Sequence, residues 1–311
     1  MLDTKEQAFL NTAGNTVYLL SLWLLSVIAT QYLGYKAVGE LTLAMAIGNT
    51  VILLQLYGVR GFQSSDVSFR YSPATYFRAR IITIVFGALI GTGSSFLMGY
   101  SSEFIITLSL FMLFRSSEAF SDVLYGDDQR MGRLELAGYS LFLRGVITST
   151  LFFIGSFYFK SLYFSLIFIA IGGFLITIFL DIPLYWKTIR QCPKINSGYV
   201  SDLLRDCLSL LITTLIPAII FAVPRIVLAH WYGAELLGYY GNLSTPAMLI
   251  ITLVPNVLIA FLPQYGRMIV LKDYHGVVKL WFQSILGTMI LLMLCLIAMF
   301  FWGRQVLSYI Y

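Results

Sequence analysis

Residues 162–194, LYFSLIFIAIGGFLITIFLDIPLYWKTIRQCPK, carry no charged side chain before Asp181 and then present Lys187, Arg190 and Lys194 in close succession. A helix crosses the hydrocarbon core with about 20 apolar residues, and Lys and Arg collect on the cytoplasmic side of such spans. The stretch therefore reads as a membrane helix that leaves the bilayer into a basic cytoplasmic loop.

The same alternation extends in both directions. Nine apolar spans are expected, near 15–33, 38–58, 81–99, 104–124, 138–158, 162–185, 208–231, 237–262 and 280–302, the sixth and eighth long enough to tilt. With the N-terminus in the cytoplasm, fourteen of the 20 basic residues fall in cytoplasmic segments, among them Arg60, Arg78, Arg80, Arg130 and Arg133. Only Lys36, Lys160 and Arg304 fall outside, and Arg115, Arg144 and Arg225 fall within spans. The fold class is an all-α polytopic membrane protein with the N-terminus cytoplasmic; the bacterial cytoplasmic (inner) membrane as its location is what the family resemblance given below implies.

Composition agrees. Hydrophobic residues make up 59% of the 311 residues and charged residues 11%, against about 25% charged in soluble domains; mean hydropathy is +0.83. The net charge of +5 is dispersed in short loop clusters, whereas a nucleic-acid partner would need it gathered on one face. Cys192, Cys207 and Cys295 have no metal-ligand spacing, and a Cys192–Cys207 disulfide is not expected in a reducing compartment. Residues 1–14 are polar and precede no small-residue cleavage site, so the first span reads as an uncleaved anchor. No Walker motif, zinc motif or nucleophile elbow is present. No cofactor is expected, and an enzyme is not. Outer loops are short, which argues against a membrane glycan polymerase or ligase.

Leu33-Gly34-Tyr35-Lys36-Ala37-Val38-Gly39-Glu40 and Tyr232-Gly233-Ala234-Glu235-Leu236-Leu237-Gly238-Tyr239 repeat one pattern 199 residues apart. Each follows the first helix of a six-helix unit, and an even helix count relates the two units by a pseudo-two-fold axis along the membrane normal. Residues 1–198 are expected to form one six-helix bundle. Residues 199–311 are expected to form three helices, half of a second bundle, so the chain reads as truncated.

Several stretches resemble the polysaccharide transporters of the MOP flippase superfamily, the Wzx-type flippases of O-antigen and capsule repeat units. They are Asn15 to Gly61, ending Tyr57-Gly58-Val59-Arg60-Gly61; Ala119 to Gly132, with Ser121-Asp122, Gly126 and Gln129; and Val223-Pro224-Arg225 followed by Trp231-Tyr232-Gly233 and Leu262-Pro263. The resemblance implies alternating access by two bundles and a lipid-linked oligosaccharide substrate. It also implies membrane lipid and polysaccharide polymerase and chain-length proteins as partners. The family has twelve to fourteen helices, more than this chain supplies.

An arginine at mid-membrane costs about 2.5–3.5 kcal/mol on insertion scales, so the three intramembrane arginines should face a wet interior or a partner. Arg115, Glu118 and Asp122 share one helical face by spacing. They form either a polar stripe on a cavity or an intrahelical Arg115–Glu118 pair. Arg144 either faces the interior or snorkels to the cytoplasmic surface. Arg225 follows Pro224, and either satisfies a carbonyl that proline frees or meets an anion. Under the resemblance, Arg115, Arg225 and Arg144 form a cationic site for a diphosphate, which planar guanidinium groups bind bidentately. Glu118, Asp122 and Asn242 are the candidate coupling-ion or cavity-polar residues. Asp181 reads either as an interfacial helix-end residue or, with Glu118 and Asp122, as a holder of an ion or proton for antiport, and His230 reads as an interface residue. The alternative reading is a cation-coupled multidrug exporter of the same superfamily, and a third is an inactive fragment of a flippase.

Overall fold

The computed structural model describes the backbone of residues 4–66, 69–190, 198–270 and 275–287, with 289, 290, 293 and 297; side chains are described for 6–66, 69–190, 198–244 and the last group. Every regular element among them is helical: α1 (Thr4–Leu33), α2 (Tyr35–Leu56), α3 (Val59–Ser65), α4 (Pro73–Leu97), α5 (Ser102–Arg130), α6 (Leu134–Phe159), α7 (Leu162–Ile176), a π-turn (Thr177–Asp181), α8 (Ile182–Ile189) and α9 (Val200–Val270). Seven stretches among the described residues are long and apolar enough to cross a membrane, the last of them Val200–Ser244. The protein is thus an all-α polytopic membrane protein. The expected eighth span is helical backbone to Val270, while Pro246, Pro255 and Asn256 lie beyond the described side chains. Part of the ninth span, with Cys192, Cys295 and Arg304, lies outside the described residues.

Local chemistry sets the helix ends. Ser72 caps α4 by accepting from the Thr75 amide at 3.2 Å, with Pro73 opening the first turn; Ser101 caps α5 through the Phe104 amide at 3.3 Å. α4 therefore starts well before the expected residue 81, and Arg78 and Arg80 belong to it rather than to a cytoplasmic loop. α7 runs through the π-turn into α8 without a break. There Pro183 offers no amide to the usual acceptor four residues back, and the Ile182 amide instead reaches the Thr177 carbonyl, five residues back.

By contacts the chain divides into Met1–Gly241 and Asn242–Tyr311. In the first unit α5 is central, flanked by α2, α3, α4, α7 and α8, and α1 pairs with α6. The apolar core gathers Leu25, Leu41, Phe111, Phe114, Phe152 and Leu166. The part of α9 within this unit touches the other helices in two places. At the first, Leu203 and Cys207 are buried against Val59 and Tyr76. At the second, Gly233 interrupts the helix with φ 83 and ψ 175, close to the φ 83 and ψ 170 of Gly34 before α2. The repeat seen in the sequence is thus a repeat of backbone conformation that favours glycine.

Candidate functional site

Four groups of charged and polar side chains ring α5. Tyr18 on α1 donates its hydroxyl to Glu118, and Arg115 donates to the same carboxylate and, at 3.3 Å, to the Tyr18 oxygen. The i,i+3 pair expected as one alternative is therefore formed, and α1 closes over it.

Gln55 of α2 reaches Ser116 at 3.1 Å. Nearby, Arg80 of α4, with no exposed surface, donates to the Gln55 carbonyl at 2.6 Å and to Asp122 at 2.7 Å. Arg60 of α3 approaches the other Asp122 oxygen at 3.4 Å. Asp122 shares a helical face with Arg115 and Glu118, yet its partners come from α3 and α4.

Arg144 of α6 is buried and points inward. It donates to Ser117 at 3.0 Å, Ser121 at 2.7 Å and Thr177 at 3.0 Å, and pairs with Asp181 at 3.3 Å. Asp181 also accepts from Ser121, Ser140 and Tyr125. The interfacial position expected for Asp181 is corrected: the helix continues through the π-turn to Ile189, so this carboxylate stands two turns inside it. Snorkelling of Arg144 is likewise excluded by its burial.

The fourth group lies at the bundle end that carries the N-terminus. Arg130 pairs with Asp127 at 2.7 Å and Asp66 at 3.4 Å, beneath Phe69. Tyr76 donates to Asp66 at 3.0 Å and Tyr185 to Asp127 at 3.1 Å.

Arg115, Arg144, Glu118 and Asp122 are thus brought together around one helix. Arg225 is carried by α9 and is partly buried, while Asn242 is buried and belongs to the second unit. Sequence reasoning missed Arg80 as an interior residue, and for Asp181 it preferred the interface over the interior reading that the structure supports. The Ser72-Pro73 cap signature was the available signal for the first, since it starts α4 two turns before Arg80. Within the ring, Arg60 and Arg80 share Asp122, Arg115 has Glu118, Arg144 has Asp181, and Arg130 has both Asp127 and Asp66, so the guanidinium groups and carboxylates of the four groups balance. Arg80, Arg115, Arg144 and, in the fourth group, Arg130 each keep a buried Nε–H without a hydrogen bond.

Three apolar cavities occur elsewhere. One of about 390 Å³ lies between α5 and α7 at Leu110 and Ala170; one of about 360 Å³ lies by Phe77, Ile182 and Trp186; one of about 310 Å³ lies by Met98, Tyr100 and Trp231. None of these three is lined by Arg115, Arg144 or Arg225. Among the described residues no cluster of His, Cys, Asp and Glu could hold a metal ion.

The described residues thus form a bundle of helices long enough and apolar enough to span a membrane, with a repeated glycine turn and charged groups folded inward. The chain is similar to a solved structure of the MATE multidrug transporter DinF-BH, with a TM-score of 0.65 and 16% identity, covering 99% of this chain and 77% of that one. At that identity the likeness shows the fold: this is a MATE-like transporter fold. No family model matches the sequence, and no curated protein matches it.

Proposed function

We propose that the protein is a transporter of the MOP superfamily that flips undecaprenyl-diphosphate-linked oligosaccharide units across the bacterial cytoplasmic membrane for O-antigen or capsule synthesis. The observation that carries the reading is the set of interior guanidinium groups, Arg80, Arg115 and Arg144, each held in place with one Nε–H unused. An unmet buried donor costs about 1–3 kcal/mol, and a diphosphate brings acceptor oxygens suited to it. Arg225 on α9 adds a fourth group from the helix that moves against this body under alternating access.

A second reading, export of organic cations, is favoured by a different observation. Glu118 and Asp181 neutralise Arg115 and Arg144, leaving an interior with little net charge and with carboxylates available to a proton or cation. The fold of a multidrug transporter supports both readings equally.

The test is deletion of the gene followed by quantification of lipid-linked oligosaccharide, with complementation by this chain and by its Arg115→Ala, Arg144→Ala and Arg225→Ala variants. The flippase reading expects accumulation that the unaltered chain clears and the variants clear poorly. Absence of accumulation, with raised sensitivity to cationic dyes, supports the exporter.

A further inference from the structure

A groove runs between α4 and α8 at the end of the bundle that carries the N-terminus. Its volume is about 360 Å³, within the range of about 300–1,000 Å³ common for small-ligand sites. Ala74 and Phe77 form one wall, Tyr185, Trp186 and Ile189 the other, and Leu124 of α5 the floor. Both walls are held in place. Ser72 caps α4 and Pro73 opens its first turn, while the Tyr185 hydroxyl donates to buried Asp127 at 3.1 Å. Phe77 and Trp186 are exposed, so the groove opens on the surface of the bundle, where membrane-spanning helices meet lipid.

Cations stand at its mouth. Arg78 follows Ala74 by four residues and shares its helical face. Arg190 follows Trp186 by four, its backbone still helical at φ −60 and ψ −21, and Lys187 lies beside it. All three are exposed, and none pairs with a carboxylate among the described residues. Asp127 and Asp128, on the inner side of α8, are buried, and Asp127 already pairs with Arg130. α4 begins at this end and side chains tilt toward a helix N-terminus, so Arg78 leans toward the membrane surface, as long basic side chains do. Tyr185 and Trp186 are of the types that collect at that level. The groove of about 390 Å³ between α5 and α7 is a contrast, because its lining carries no charged side chain. Hydrocarbon fills that one, and nothing there selects a headgroup.

We propose that the groove between α4 and α8 binds one anionic glycerophospholipid of the leaflet at that end, an acyl chain lying over Leu124 between Phe77 and Trp186 and the phosphate held by Arg78 and Arg190. Bilayer hydrocarbon enters any apolar groove on a spanning bundle, so the headgroup is what makes this a site. Guanidinium forks match phosphate oxygens bidentately, and basic pockets between membrane helices take anionic headgroups. The bound lipid bridges α4, which carries Arg80, and α8, which continues from the turn that carries Asp181. It thereby braces the frame that positions both interior groups, and its binding stabilises the folded bundle. The proposal concerns a resident lipid and holds whatever substrate is carried.

Native mass spectrometry of the full chain in detergent tests it, with palmitoyl-oleoyl phosphatidylglycerol and the phosphatidylcholine of the same chains as probes. One phosphatidylglycerol is expected to bind about tenfold or more tighter than phosphatidylcholine. Arg78→Gln with Arg190→Gln is expected to bring the two lipids to equal affinity. Lys36→Gln with Lys160→Gln, exposed cations at the opposite end, is expected to keep the preference. Ala74→Phe fills the groove from an exposed position and is expected to lose the tight site with the cations intact. The melting temperature is expected to rise with added phosphatidylglycerol wherever the preference survives. Equal affinities in the unaltered chain, loss of preference in the lysine pair as well, or a tight site that survives Ala74→Phe overturns the proposal. Tighter binding of undecaprenyl diphosphate through the same two arginines also overturns it, and assigns the groove to a polyprenyl chain.

Discussion

Asp181 accepts four hydrogen bonds or ion pairs from α5 and α6, and Arg144 is the charged one among them. Taking one partner from a buried pair strands the other, at about 3–5 kcal/mol. Asp181→Asn and Arg144→Ala are each expected to lower unfolding stability by that order, measured by denaturant titration in detergent. The apolar double replacement Arg144→Met with Asp181→Leu is expected to recover most of the loss; a double variant as unstable as the singles would contradict the pair. For Arg115 the effect belongs to transport. Arg115→Ala is expected to cut flipping about tenfold or more, and Arg115→Lys to retain part, because the charge survives without the planar fork. The acid–base pattern of α5 was legible as a face, but not which neighbour each group meets. Helical phase gives direction, and the partners Tyr18, Arg80 and Asp181 come from other helices.

Elements carry the next level. Burial, then the hydrogen bond to Asp206, push the Tyr71 hydroxyl up from its ordinary value of 10.0 to about 12. The folded state holds that proton more tightly than the unfolded chain, so the contribution is fully present below pH 10 and is lost as pH rises through 12. Stability should be flat from this group between pH 7 and 9 and should fall between 10 and 12. Tyr71→Phe should remove that step from a melting profile, and a step of unchanged size in the variant would assign it to another group. Where Gly39 packs against the Ala234 carbonyl, Gly39→Val inserts side-chain atoms between touching backbones and is expected to cost about 1–3 kcal/mol in the same assay. The first seven spans and the glycine repeat could be read from sequence because hydropathy and glycine placement are local. The early start of α4 and the π-turn at Asp181 were harder. A cap residue and a proline mark them only weakly, and the window average that locates spans ignores both.

At the scale of the whole molecule, the MATE-like fold fixes an architecture, while the cargo depends on how the interior charges are shared. The asymmetry of Lys and Arg predicts that a cysteine at Lys36 reacts with a membrane-impermeant thiol reagent added outside intact cells. A cysteine at Lys187 should react only after the membrane is opened. The reverse pattern would invert the orientation. Charge balance around α5 is not legible in the sequence, since local hydropathy places Arg60 and Arg80 in a loop and Asp181 at the interface. Their inward positions give a nearly balanced interior where a cationic one is expected from the sequence. The measurement that decides the cargo is the sidedness of lipid-linked oligosaccharide in the gene-deletion strain, read by lectin or periodate access in spheroplasts. The account predicts intermediate accumulating on the inner leaflet and appearing outside when this chain is restored. Normal outer-leaflet exposure in the deletion strain would contradict it.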